Sequence, residues 1–225
     1  MLVYLAMGLQ SGAWLSFPGA VEVLFGANYA PLVWQGQWFR LLTSAFLHGG
    51  ALHLGMNMVA LHQVGSVIEP YYGRARLVGV YLASAIAASA ASLLLHSRPT
   101  VSVGASGAIA GLIGAGAVAG QMVGTEGGRA FRNAMLRWAG IIIAFGFAVP
   151  GIDNSAHVGG FVAGIASSAA LSRGVRRRDP AQGAGTTRET VLATTILLVI
   201  VVAAFALAFG AASTLIRSGL LDHRG

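Results

Sequence analysis

Residues 103–114 read V-G-A-S-G-A-I-A-G-L-I-G. The run is apolar and built of small side chains, which is the composition of a helix start packed closely among other helices. Its one hydroxyl, Ser106, stands between Gly104 and Gly107. The reading of the whole chain turns on whether that hydroxyl packs or reacts.

The surroundings of this run are equally apolar. Of the 225 residues, 56% are hydrophobic and only 9% are charged. A soluble domain carries about 25% charged residues, so a soluble fold is excluded. A membrane-crossing helix needs about 20 mostly apolar residues. Candidate spans fall near residues 1–17, 51–68, 77–95, 105–123, 135–149, 155–172 and 191–216. The first begins at Met1 without a basic leader or a small-residue cleavage site, and is expected to be retained as a span. The fifth is short. Residues 18–43 form a long first loop whose Trp34, Trp38 and Phe39 suit a membrane–water interface. Residues 173–190 form a basic, Gly-containing linker. The last run, 191–216, has no ionisable group between Val191 and Ile216 and is expected to be a lateral anchor. The expected fold is an all-α membrane protein: a six-helix body over residues 1–172, then a seventh, C-terminal transmembrane helix.

The net charge of +7 invites a nucleic-acid reading. The arginines, which are the only basic residues besides histidine, instead fall in short loops between apolar runs. With the N-terminus inside the cell, ten arginines lie on the inner side and four on the outer. The positive-inside rule therefore favours a cytoplasmic N-terminus and, after seven spans, an outer C-terminus. The chain has no cysteine, so neither disulfides nor a thiolate metal site can form.

Ionisable groups at membrane depth are costly and mark functional sites by default. The stretch L-H-G-G-A-L-H-L-G-M-N-M-V-A-L-H at 47–62 holds three histidines and an asparagine. His53 and Asn57 are four apart and share a helix face; His62 belongs to the opposite face. A zinc site wants three or four converging ligands, and one His with one Asn does not supply them. The pair suits an oxyanion donor site or hydrogen bonding between helices, and this segment alone leaves both open. A second stretch, D-N-S-A-H-V-G-G-F-V-A-G at 153–164, carries His157 ahead of Gly160-x-x-x-Gly164. That small-residue face matches Gly107-x-x-x-Gly111, and close approach of the two helices would bring His157 toward Ser106. A serine hydroxyl is a weak nucleophile and needs such a base. Under the arginine-derived topology, His53, Ser106 and His157 all lie near the outer ends of their helices.

These residues together resemble the rhomboid intramembrane serine proteases. G-A-S-G at 104–107 is similar to that family's G-x-S-G. A-H-V-G-G-F-V-A-G at 156–164 matches A-H-x-x-G-x-x-x-G, and H-G-G-A-L-H-L-G-M-N at 48–57 matches H-x-x-x-x-H-x-x-x-N. G-S-V-I-E-P-Y-Y-G at 65–73 matches G-x-x-x-E-x-x-x-G, and Phe39-Arg40 stands where the first loop usually has Trp-Arg. The resemblance covers roughly residues 1–172. It implies Ser106 as nucleophile and His157 as general base, with His53, Asn57 and the Ser106 backbone N–H stabilising the oxyanion. Arg40, His48, Glu69, Gly104, Gly107, Gly160 and Gly164 would be structural. Asp153, the only acid near His157, reads as a cap of the following helix. Two positions depart from the pattern: Ala110 replaces an aromatic that often packs on the base, with Phe161 a substitute, and Ser44 replaces a histidine.

The function implied is an intramembrane serine endopeptidase that uses a Ser–His dyad and no metal or other cofactor. It would cut single-span transmembrane substrates near the outer face of a bilayer, in a bacterial cell membrane. The alternative is a catalytically inactive relative that binds membrane helices as a chaperone or sorting factor.

Overall fold

The computed structural model describes residues 1–171 and 188–217. The expected linker at 173–190 falls almost wholly outside them. In chain order the elements are α1 (Leu2–Ser11), α2 (Gly19–Leu24), β1 (Asn28–Tyr29), α3 (Ala30–Trp34), α4 (Arg40–Thr43) and a 3-10 turn (Ser44–Phe46). They continue with α5 (Ala51–Tyr72), α6 (Arg74–Leu95), β2 (Val101–Ser102), α7 (Ser106–Val123), α8 (Glu126–Ala148), α9 (Asn154–Leu171) and α10 (Arg188–Arg217). The protein is all-α apart from the two-residue strands. Among the described residues, Arg74–Leu95, Ser106–Val123 and Thr194–Ile216 are long and apolar enough to cross a membrane.

Two elements differ in extent from the expected spans. The first apolar run forms only a ten-residue helix, because Gly12 takes the left-handed conformation (φ 68°) and its N–H closes back on the Gly8 carbonyl. The fifth is longer than its apolar core. Thr125 caps α8 by accepting from the Gly128 N–H at 3.2 Å, and the helix runs through the polar stretch E-G-G-R-A-F-R-N before the apolar one.

Helix α7 is the centre of the bundle and packs against α5, α6, α8 and α9. Its contact with α9 is backbone against backbone. A Cβ at Gly160 would overlap the Gly107 carbonyl, and one at Gly164 would overlap the Gly111 carbonyl. Only glycine permits this approach, and in a membrane such close van der Waals packing replaces the hydrophobic drive that lipid removes. Toward the far end of α7 the small residues give way to a larger cluster with Ile68, Tyr72, Val80, Leu112 and Ile113. The Tyr72 hydroxyl there meets the Ala115 carbonyl at 2.9 Å and the Ser168 hydroxyl. At the same far end, Glu69 pairs with Arg74 at 2.7 Å across the turn at Gly73; the pair is exposed and contributes little to stability.

The first loop is held by Arg40. The residue is 1% exposed, and its guanidinium donates to the Val23 and Ala27 carbonyls at 2.7 and 3.0 Å and to Gln37 Oε1 at 2.8 Å. Burial lowers its pKa to about 10, still charged at neutral pH. The loop then reaches the α6–α7 connection through an antiparallel ladder that pairs Asn28 with Ser102 and Tyr29 with Val101. Three residues separate this ladder from Ser106, so the loop's position and the serine's are coupled through a short stretch of chain.

Candidate active site

Ser106 opens α7. The N–H groups of a helix's first turn have no partner within the helix, so those of Ser106 and Gly107 point outward from the helix start. The preceding Gly104 has φ 127°, a conformation that a side chain resists. It is crowded as well: a Cβ there would lie 2.8 Å from His53 Nε2 and 3.8 Å from Ser106 Oγ. Glycine therefore lets His53 and Ser106 converge on the same space.

His157 lies one turn into α9 and is buried. Its Nε2 is 2.9 Å from Ser106 Oγ, the distance of a hydroxyl donating to an imidazole nitrogen. The Gly107–Gly160 approach sets this distance, since it brings the helix starts together. The other ring nitrogen, Nδ1, is buried and has no protein partner. Asp153 does not reach it. One Asp153 oxygen accepts from the Ala156 N–H at 3.0 Å, capping α9, and the other from Ser102 Oγ at 2.8 Å. His96 Nε2 lies 4.0 Å from the same carboxylate. Asp153 thus fixes the start of α9 to the strand before the serine.

On α5, His53 Nδ1 accepts the Gly49 N–H at 3.2 Å. An imidazole nitrogen that accepts carries no proton, so in the neutral ring Nε2 bears it and faces Gly104 as a donor. Asn57 donates through Nδ2 to the His53 carbonyl at 2.9 Å, and its Oδ1 is buried without a partner. His48 is buried, its ring set edge-on to His53 with centroids 5.3 Å apart. Burial, aided by His53, pushes His48 down to about 4, so it is neutral and packs. His62 is exposed on the other side of α5. Among the described residues, no group of three or more His, Asp or Glu side chains is placed to hold a metal ion.

Other positions named in the sequence have places of their own in the fold. Phe161, the suggested substitute for the aromatic that Ala110 replaces, packs against the interior cluster around Ile109 and Ile113, and Ala110 is itself buried. Arg40 and Glu69 belong to the first loop and the far end of the bundle. Other contributors were not singled out in the sequence. The Gly49 N–H fixes the His53 tautomer, and Ser102 holds Asp153. Glu22 is buried with Oε1 3.0 Å from where a Gly49 Cβ would sit. Backbone donors carry no side-chain signal, and Ser102 and Glu22 lie in elements too short to show periodicity, a two-residue strand and a six-residue helix; only the acidic residue within an apolar stretch offered a clue.

The comparisons with known proteins bear on this arrangement. A family model for the Rhomboid domain matches residues 35–174. The chain belongs to the rhomboid family. It is 41% identical over 157 residues to rhomboid protease GluP of Bacillus subtilis (strain 168), covering 66% of this chain and 29% of that protein. It is 38% identical over 144 residues to RHOMBOID-like protein 5 of Arabidopsis thaliana, covering 62% and 46%. To rhomboid-like protease 1 of Toxoplasma gondii it is 35% identical over 151 residues, covering 64% and 51%. The matched part of this rhomboid thus spans between 29% and 51% of the length of these curated relatives. Membership and the apolar helices make it a multi-pass integral membrane protein of a protease family. The match to the family begins after α3, so α1, most of the first loop and α10 lie outside it.

Proposed function

We propose that this rhomboid is an intramembrane serine endopeptidase that cuts single-span transmembrane proteins near the outer face of a bacterial cell membrane. The observation that carries this reading is the 2.9 Å approach of His157 Nε2 to Ser106 Oγ. Ser106 Oγ attacks the scissile carbonyl carbon, and its proton passes to His157 Nε2. The carbonyl oxygen becomes an oxyanion that the Ser106 backbone N–H, His53 Nε2–H and Asn57 Nδ2–H stabilise. His157 then gives the proton to the departing amine, leaving an acyl-serine. Water, deprotonated by His157, hydrolyses that ester and restores the hydroxyl. No step calls for a metal or cofactor.

The reading takes α1 and α5–α9 as a six-helix body and α10 as a seventh span, with the N-terminus cytoplasmic. The substrate would approach from the side. At the far end α5 and α8 touch, where the Tyr71 and Phe131 rings stack at 5.3 Å. Nearer the site both helices present apolar groups outward, Leu52 and Met56 on α5 and Ile141 and Phe145 on α8. The alternative, an inactive binder of membrane helices, is disfavoured because both catalytic residue types are present and in hydrogen-bonding contact. A serine-reactive fluorophosphonate separates the two. The purified chain should label, Ser106→Ala should not, and single-span substrates should yield defined fragments by mass spectrometry. Absence of labelling and of fragments in the parent chain would favour the inactive binder.

A further inference from the structure

Helix α10 lies outside the part of the chain that matches the family, yet it packs on that part. Its neighbours are α2, α4 and α6. One face is buried, formed by Ala204, Ala208, Ala212 and Leu215. Alanines four apart let backbones approach closely. Ala208 Cβ comes within 3.3 Å of where a Cβ on Gly26 would lie, and Gly26 has φ 107° and accepts from Thr43 Oγ1 at 2.6 Å. Phe209 meets Phe25 edge-on at 6.0 Å, and Phe205 meets Phe46 edge-on at 6.0 Å. Phe205 also packs against the cluster of Met7, Phe17, Val21, Ala27 and Leu47, which Val103 joins.

Phe46 ends the 3-10 turn that begins at Ser44. The Ser44 carbonyl accepts two N–H groups: Leu47 at 3.2 Å, and Gly104 at 3.0 Å. The first leads to His48 and the turn into α5; the second holds the glycine against which His53 and Ser106 converge. Ser44 Oγ bonds Ser89 Oγ at 3.0 Å inside the bundle. The turn is therefore fixed from within by Ser89 and supported from the outside by Phe205.

We propose that Phe205 of α10 is a positioning residue for the active site. Its ring braces the Ser44–Phe46 turn, whose carbonyl sets Gly104 and hence the placement of Ser106 relative to His53. The seventh helix is on this view part of the frame of the site as well as an anchor. The inference rests on the serine-protease reading for its effect on turnover, but its structural half stands apart from it.

The test compares the full chain with Phe205→Ala, Phe205→Leu and Val202→Ala, the last on an exposed face of α10. Two quantities are read in detergent: kcat and KM on a single-span substrate, and hydrogen exchange of the segment around the Gly104 amide. Phe205→Ala should lower kcat on the order of 10-fold, since small misplacements of reacting groups are costly, with KM changed less than about twofold. Exchange at Gly104 should quicken while the middle of α7 stays protected. Phe205→Leu, which keeps bulk but loses the edge-on ring, should shift both in the same direction by a smaller but measurable amount, and it remains informative if the alanine variant fails to fold. Val202→Ala should match the parent. If kcat and Gly104 exchange stay at parental values in a folded Phe205→Ala or Phe205→Leu protein, the brace does not exist. If the parent neither cleaves nor labels but Gly104 exchange still responds to Phe205→Ala, the brace stands and the protease reading fails instead.

Discussion

Helices α7 and α10 are both apolar enough to cross a membrane, and the structure treats them oppositely. Inside the protein, 72% of the α7 span is buried, against 17% of the α10 span. The more buried helix is the richer in small side chains, with ten of its eighteen residues Gly or Ala; the more exposed one is rich in Val, Ile, Leu and Phe. In water the order would be reversed, because burial there follows apolar area. In lipid, large apolar groups gain nothing by leaving the solvent, and burial goes to backbones that can touch. Residue size, more than hydropathy, marks the inside of this bundle.

The largest expected effect lies at the tip of α7. Ser106→Ala and His157→Ala should each reduce cleavage by about 10⁴-fold or more while leaving the thermal midpoint in detergent near that of the parent. The double variant should be hardly worse than either, since residues acting as one unit are not additive. Losses that multiply would show that α7 and α9 do not share a reaction.

Next come the donors on α5. Asn57→Ala and His53→Ala should each lower turnover by about 10²–10³ or somewhat less, with substrate affinity nearly unchanged. His62→Ala, exposed on the opposite side, should leave turnover alone. Equal losses in His62→Ala and Asn57→Ala at matched stability would move the reacting face elsewhere.

The packing itself comes third. Gly164→Val drives a branched side chain into the Gly111 carbonyl and should cost more than about 3 kcal/mol, read as lost yield or a lowered midpoint. A tolerated valine would mean that α7 and α9 are not in backbone contact.

A smaller effect is expected in the first loop. Burial raises the Glu22 carboxyl to about 7 from an ordinary 4.5. Between those values the folded protein keeps a proton that the unfolded chain has lost. This contribution therefore favours folding most below pH 4.5, weakens as pH rises and is fully lost above about 7. Glu22→Gln should remove about 1–3 kcal/mol of that pH dependence, seen as midpoints at pH 5 and pH 8 that lie closer together than the parent's. The smallest effect belongs to α10: Val202→Ala, facing outward, should change stability by less than about 0.5 kcal/mol.

The comparison also explains what the sequence revealed. The all-α class and the helix positions followed from long apolar runs, and the Gly107 and Gly160 faces from their four-residue spacing, because both are local patterns. The ends of α1 and α8 did not follow. A glycine cap stops α1 inside its apolar run, while a threonine cap starts α8 ahead of its own. His53, Asn57, Ser106 and His157 stood out as polar groups in apolar helices. The Gly49 amide, the Ser102–Asp153 bond and the Ser44 carbonyl did not, since each acts through backbone or loop contacts between residues distant in sequence. The inward face of α10 was hidden for a related reason: alanines at 204, 208 and 212 look like filler in a run where every residue is apolar.

The ladder between β1 and β2 has one consequence of its own. It joins Asn28–Tyr29 to Val101–Ser102 and nothing more, so parting it exposes little apolar surface. Opening free energy scales with what must be unpacked. The amides of this ladder should exchange with heavy water through small local fluctuations, whereas those in the middle of α7 should wait for the whole bundle to come apart. The serine would then sit at the junction of the two regimes, on the slowly exchanging helix and with three residues between it and the rapidly exchanging strand.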